Sequence, residues 1–113
     1  MERILKKKLT LEELRQSCDF TFDDCMVKAV VDLGQKLIAV DAEMHSDLEA
    51  MMLDEGSLQK DLWGFNFLFD IDEWLQFNLM INYRKRDGNN DADIHSEELK
   101  KNIREVVDLW VTK

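Results

Sequence analysis

The sequence predicts a single α+β domain over residues 1–113, with an antiparallel sheet of four to five strands built from two hairpins and covered by three helices. Two parts of the chain alternate apolar and polar residues as strands do. Three segments carry helix caps or helical apolar spacing. The length of 113 residues and the apolar fraction of 45% are those of one ordered domain.

The N-terminal region is predicted to hold a short strand followed by a capped helix. The strand is placed at residues 3–8. Thr10 and Glu13 have the spacing of a capping box, in which each side chain bonds the other residue's backbone N–H. A first helix is therefore expected from about Leu11 to Cys18.

Residues 26–40 allow two interpretations, a helix or a β-hairpin. A helix would carry an apolar stripe formed by Met26, Val30, Leu33 and Leu37. A hairpin is favoured by the β-branched residues and by Gly34 in the middle of the segment. We predict the hairpin, and the helix stays the alternative.

A second helix and a second hairpin are predicted in the middle of the chain. Ser46 and Glu49 form another potential capping box, and Gly56 stands where a helix ends, so the helix is placed at about Asp47–Glu55. Two alternating runs then predict a long aromatic hairpin. The residues on one face are Trp63, Phe65, Phe67 and Phe69 in the first strand and Leu75, Phe77, Leu79, Ile81 and Tyr83 in the second.

The last predicted element is a C-terminal helix capped by Ser96, whose apolar residues recur at helical spacing from Leu99 to Trp110. We expect the helices to cover one face of the sheet, so that the other face either pairs with a second subunit or stays polar. Because most aromatic residues lie in the later hairpin, the sequence predicts a homo-oligomer, most simply a dimer.

The acidic composition limits the classes of partner. A net charge of −9 argues against binding to nucleic acid or to an anionic membrane surface, because like charges repel. No apolar run has the length needed to cross a bilayer, and the N-terminal residues lack the apolar core of a secretory signal. We therefore expect a cytoplasmic protein whose partner is a small molecule or another protein.

Several spaced motifs resemble a family of short bacterial and archaeal proteins known only as a domain of unknown function. The motifs are MVKAVVD, E-x-H-x-D-x-E, G-S-x-Q-x-x-L-W-G-x-N and I-N-x-R, which fall on residues 26–32, 43–49, 56–66 and 81–84. After Arg84 the chain departs from the family, which usually continues with a proline. The resemblance implies a fold and a set of polar positions, and it implies no activity.

The first candidate site lies in the segment EMHSDLE, where acids and a histidine occupy alternate positions: Glu43, His45, Asp47 and Glu49. On a strand these side chains would share a face and suit acid/base chemistry or a divalent metal. The predicted partners are Arg84 as an anion binder and four ligand-binding residues, Gln59, Trp63, Asn66 and Asn82. The alternative is a helix start, which explains all but Glu43 and His45.

The second candidate site is the segment DGNNDADIHSEE, whose spacing resembles that of a calcium-binding EF-hand loop. Its predicted metal ligands are Asp87, Asn89, Asp91, Asp93 and Glu98. Ala92 stands where such loops need glycine, and no helix is predicted before the loop. A solvated surface loop is the alternative, and we expect no cofactor beyond this possible divalent metal.

Two functions follow from these residues. The first is a non-enzymatic binding or regulatory module, favoured because the sequence contains no phosphate loop, H-E-x-x-H or C-x-x-C motif. The second is a small hydrolase-like enzyme that uses Glu43, His45 and Asp47, with Arg84 binding an anionic substrate group. Convergence of Glu43 and His45 with Arg84, Asn66 and Asn82 in one cleft would favour the enzyme.

Overall fold

The computed structural model describes residues 1–89 and 91–113, without the side chain of Asp87. The helices and strands, in chain order, are β1 (Arg3–Ile4), β2 (Leu9–Thr10), α1 (Leu11–Ser17), α2 (Phe22–Cys25), β3 (Met26–Asp32), β4 (Leu37–Val40), α3 (His45–Asp54), β5 (Leu62–Leu68), β6 (Leu75–Gln76), α4 (Glu97–Trp110) and β7 (Val111–Thr112). Single 3₁₀ turns lie at Gln59–Asp61, Met80–Asn82 and Lys85–Asp87.

The main sheet has five antiparallel strands in the order β1-β4-β3-β5-β6. A separate parallel pair joins β2 to β7, near the two ends of the chain. The α+β class and the antiparallel sheet are therefore confirmed. Residues 26–40 form the predicted hairpin, in which Ala29 pairs with Val40 and Asp32 with Leu37.

The first face of the sheet carries the larger core. Alternate residues of the central strands point into it, among them Val27 and Val31 of β3 and Phe65 and Phe67 of β5. Helices α1 and α4 cover this face with buried apolar residues, namely Leu11, Leu14, Ile103, Val106 and Val107. The alternation read from the sequence places these strand residues correctly, because period 2 sends every second side chain to one face.

The second face carries a smaller core under α3. Leu48 and Met52 of this helix pack on Val30, Ala39 and Leu62 of the sheet. The expectation that helices cover only one face is therefore wrong. Helix α3 lies over the part of the second face where the strand residues are small or apolar, and the polar strand residues stand beside it.

Two of the three N-terminal helix caps predicted from the sequence are present in the structure. The side chains and backbones of Thr10 and Glu13 bond each other, and the Ser96 hydroxyl accepts a hydrogen bond from the Leu99 N–H. The Ser46 cap is wrong, because α3 begins two residues before the predicted start and Met44 holds the N-cap position. Gly56 follows α3 with φ of +102°, which glycine adopts most easily.

Two predicted strands are much shorter than expected. Only Arg3–Ile4 of the first is strand, and the second strand of the aromatic hairpin ends at Gln76 instead of Tyr83. Beyond Gln76 the chain turns through Met80–Asn82, so that a side chain, that of Asn82, bonds the edge of β5. The segment after Gln76 therefore alternates apolar and polar residues without forming a strand.

Candidate functional site

His45 is the first residue of α3, and its half-buried ring lies against strand β5. Its Nε2 atom is 3.0 Å from the carbonyl oxygen of Phe65. Since a carbonyl oxygen only accepts, Nε2 carries the proton and Nδ1 is left as an acceptor in the neutral ring. Burial lowers the pKa of His45 below 6.5, and the Lys28 charge lowers it further, while the Phe65 carbonyl and the Asn66 amide act in the opposite direction.

Asn66 lies beside this ring, on the second face of strand β5. In the sheet register it stands between Lys28 of β3 and Gln76 of β6. Its Nδ2 donates to Gln76 Oε1 at 2.8 Å. The residue is only 3% exposed, and its Oδ1 makes no hydrogen bond of normal length within the described residues, although the His45 ring is close enough for Asn66 to raise the pKa of His45. We call these four residues, Lys28, His45, Asn66 and Gln76, the Asn66 site.

Lys28 contributes the positive charge of the Asn66 site. Its Nζ donates to the main-chain carbonyl of Glu43 at 2.7 Å and lies 3.9 Å from the centre of the Phe22 ring. The ammonium group has three N–H donors, so this one bond leaves others for a further acceptor. The lysine thus ties the end of the segment before α3 to the sheet, next to Asn66.

Asn82 and Gly64 form the inner boundary of the site. The buried Asn82 amide accepts from the Gly64 N–H at 2.9 Å and donates to the Gly64 carbonyl at 2.9 Å, as a neighbouring strand would. A Cβ atom on Gly64 would collide with a methyl group of Ile81 and come within 3.4 Å of the His45 ring. Glycine is therefore required for Ile81 to lie on this strand, whereas the His45 ring would make only an ordinary contact with the added atom.

Arg84 belongs to a second group of polar contacts at the start of β5. Its guanidinium donates to the carbonyl oxygens of Gln59, at 2.9 Å, and of Leu62. The same group lies 4.4 Å from the centre of the Trp63 ring. Glu49 joins this group by accepting from the Gln59 side chain at 3.0 Å. Arg84 thus fixes the backbone that leads into β5, and its role as an anion binder stays a prediction.

The structure brings together only part of the first predicted site. His45 and Asn66 are neighbours, and His45 and Asn82 both lie against Gly64. The side chains of Glu43 and Asp47 are exposed, and only the main chain of Glu43 reaches the site, through Lys28. Gln59, Trp63 and Arg84 lie in the separate group at the start of β5.

Two members of the Asn66 site were missed in the sequence analysis, Lys28 and Gln76. Each occupies an alternating polar position in its segment, to which the sequence alone assigns no role. The register supplies the missing information, because it sets both residues directly beside Asn66 across two strand pairs. Once the order β3-β5-β6 is known, cross-strand neighbours on one face are expected to interact.

The predicted calcium loop is held by contacts within the loop and with Asn82. Asn89 is buried, and its Nδ2 donates to the carbonyl oxygens of Asn82 and Asp91. Asp91 accepts from the Asp93 N–H at 2.8 Å and lies 2.7 Å from His95 Nε2. Glu98 is exposed in the first turn of α4. The side chain of Asp87 is outside the described part of the chain, so calcium binding stays a prediction.

Within residues 1–89 and 91–113, Asp87 side chain excepted, no three His, Cys, Asp or Glu side chains are grouped to hold a metal. The described helices include none with the length and apolar character to span a membrane. A family model described as "Protein of unknown function (DUF5674)" matches residues 3–109. No curated protein and no solved structure matches the chain.

Proposed function

The chain belongs to the DUF5674 family of proteins of unknown function, and from that premise we propose that it is a non-enzymatic binding module whose ligand contacts the Asn66 site. The observation that carries the proposal is the buried Asn66 Oδ1, which lacks a donor within the described residues. Leaving such an acceptor without a donor costs about 1–3 kcal/mol. The oxygen has almost no accessible surface, so a group from outside the chain would remove this cost by displacing the side chains that cover Oδ1 and donating to it.

The surroundings of Asn66 support binding more than catalysis. His45 uses Nε2 to bond a backbone carbonyl, and no carboxylate orients its ring among the described residues. A histidine that acts as a general base usually has a second group that holds its ring in place. The alternative, a small hydrolase-like enzyme using Glu43, His45 and Asp47, has less support because both acids are exposed.

Self-association is a separate part of the proposal. Three largely exposed apolar side chains are sequence neighbours of residues at or beside the site: Met44 (55% exposed), Met80 (75%) and Tyr83 (51%). Met44 directly precedes His45, and Met80 directly precedes Ile81, the residue that contacts Gly64. Exposed methionines are adaptable contacts for a partner. These residues are where we would look first for contact with a second copy.

The binding proposal is tested without any ligand, by urea unfolding of the Asn66→Leu variant. Leucine has nearly the same shape as asparagine and removes the acceptor that lacks a donor. We expect the free energy of unfolding to change by no more than about 1 kcal/mol, or to rise, because the one bond lost is to the exposed Gln76.

The matched control is Asn82→Leu, which removes a buried asparagine whose amide groups are all bonded to backbone. This variant should be clearly destabilised. If Asn66→Leu loses as much stability as Asn82→Leu, Asn66 serves the fold and the proposed binding site is wrong.

A further inference from the structure

A cleft of about 1030 Å³ lies between residues 3–9 and one face of helix α1. None of the four residues of the Asn66 site lines it. We call it the N-terminal cleft, and we infer that it binds an aliphatic monocarboxylate, a small molecule with a hydrocarbon chain and one carboxylate group. This inference goes beyond the proposed function and does not depend on the Asn66 site.

The N-terminal cleft forms where the chain crosses from one sheet to the other. β1 is an edge strand, and no described strand pairs with its outer side. After Ile4 the chain leaves the main sheet, and at Leu9 it joins β7 in the parallel pair. Helix α1 then turns Leu11 and Leu14 into the core, so that the helix face carrying Glu13 borders the cleft. The volume lies at the upper end of the range of roughly 300–1,000 Å³ that is usual for small-molecule sites.

The hydrocarbon chain of the ligand is matched by apolar residues of the cleft. Leu5 is 4% exposed and belongs to the first-face core. Ile4 and Leu9, which line the cleft as well, are only partly buried, each packed against one of the two cores. A hydrocarbon chain that covers the exposed parts of these two side chains removes apolar surface from water, which favours binding.

The charged side chains that line the cleft are three basic and two acidic ones: Arg3, Lys6, Lys7, Glu13 and Asp19. Arg3 is already paired with the buried Asp41 at 3.4 Å, and Asp19 with the amino group of Met1. Lys6 and Lys7 are exposed and form no ion pair or hydrogen bond with a described residue. With Glu13 as the remaining acid, the cleft keeps an excess of one positive charge.

This excess favours a ligand with a single negative charge. Lys7 lies near Glu13, whose pKa its charge lowers after the larger effect of the hydrogen bonds with Thr10, so Glu13 offsets one of the two lysine charges. The lysine N–H groups are donors and an ionised carboxylate only accepts, so the two groups are complementary. A second negative charge on the ligand would be repelled by Glu13 and by the net charge of −9, and a cationic ligand would be repelled by the lysines.

The experiment compares octanoate, 1-octanol and octylammonium as probes of ¹⁵N-labelled protein, at constant ionic strength and below the concentrations at which micelles form. We expect octanoate to bind most tightly and to shift the backbone amides of residues 3–9 and 13–17 in a saturable way. Affinity should rise from hexanoate to octanoate by up to about fourfold for each added methylene group, the value for full burial.

The carboxylate contact is tested with the Lys6→Gln/Lys7→Gln variant. Both lysines are exposed and bond no described residue, so this variant should fold as the unaltered protein does. We expect it to bind octanoate about fivefold more weakly, as for the loss of exposed ion pairs, and to bind 1-octanol unchanged. Lys101→Gln, at an exposed position of α4 outside the cleft, is the matched control and should bind octanoate normally.

Four results would overturn the inference. They are tighter binding of octylammonium, octanoate binding that is no tighter than that of 1-octanol, octanoate binding that the lysine variant leaves unchanged, and the absence of saturable shifts. Shifts confined to a smaller cleft of about 370 Å³, which Leu33, Val106 and Leu109 help to line, would also contradict it. The unfolding result for Asn66→Leu decides the proposed function separately, because Asn66 does not line the N-terminal cleft.

Discussion

At the scale of single residues, the two histidines of the chain respond to their surroundings in opposite directions. Burial lowers the pKa of His45, whereas the hydrogen bond that His95 donates to Asp91 raises the pKa of the exposed His95. A lowered pKa means that the unfolded chain takes up the proton first as pH falls. The stability associated with neutral His45 is therefore present above its ordinary value of 6.5 and is lost as pH falls through the lowered folded-state pKa. The stability associated with protonated His95 is fully present below pH 6.5 and is lost as pH rises through the raised pKa of His95 in the folded state.

The prediction is that His45→Gln flattens the decrease in stability on the acid side, measured by urea unfolding at several values between about pH 5 and pH 8. His95→Gln is the matched control, and it should leave that decrease in place. NMR titration of the two rings gives the same information directly. A pKa of His45 above that of His95 would contradict the burial argument.

Gly64 shows how a single residue allows the site to form. We predict that Gly64→Ala lowers the free energy of unfolding by about 1–3 kcal/mol, the range for an overpacked position, because the added methyl group collides with Ile81. In a double-mutant cycle with Ile81→Ala, part of this loss should disappear.

Gly56→Ala is the control for this cycle. At Gly56 an added Cβ meets nothing within 4 Å, and the cost comes from the positive φ alone. Its effect should therefore add to that of Ile81→Ala. If the effects of Gly64→Ala and Ile81→Ala are also additive, the contact with Ile81 is not the reason why glycine is needed at position 64.

At the scale of elements, Asn82 explains why the second aromatic strand is so short. Its amide bonds both backbone groups of Gly64, and Nδ2 also donates to the Phe77 carbonyl at 2.7 Å. One side chain thus protects an edge that a strand would otherwise cover. The alternation of apolar and polar residues does not show that the strand ends early, because the same residues would also suit a longer strand.

The corresponding prediction is that Asn82→Leu costs about 3 kcal/mol or more, since it leaves three backbone groups at a buried position without partners. Urea unfolding measures the loss. Asn78→Leu, at an exposed position four residues earlier, should change stability by no more than about 0.5 kcal/mol. Equal effects of the two variants would show that the edge contacts of Asn82 are not important for stability.

The elements that the sequence predicted well are those whose signals are local. The hairpin of residues 26–40, the capping box at Thr10 and the Ser96 cap depend on neighbours within a few positions. The start of α3 was wrong because Glu49 bonds Gln59, a residue beyond the helix, and not Ser46. The candidate site was predicted in part for the same reason: His45 and Asn66 were identified from residue type, while Lys28 and Gln76 needed the strand register.

At the scale of the whole molecule, the helices of one chain cover the aromatic residues that suggested a dimer. Phe65, Phe67 and Phe77 lie in the first-face core together with residues of α4. The aromatic residues therefore do not need a second copy of the chain to cover them. What still favours a second copy is the exposure of the apolar side chains Met44, Met80 and Tyr83, while the net charge of −9 opposes self-association.

This balance gives a prediction for solution mass, measured by light scattering during size-exclusion chromatography. Because salt screens the repulsion between acidic chains, we expect a shift from the mass of one chain, 13.4 kDa, towards a dimer as ionic strength rises. A Met80→Ser/Tyr83→Ser variant should stay at the mass of one chain, and Ile71→Ser, also at an exposed apolar residue, should not differ from the unaltered protein. A dimer that dissociates with added salt would contradict this prediction, since charge attraction would then hold the two copies together.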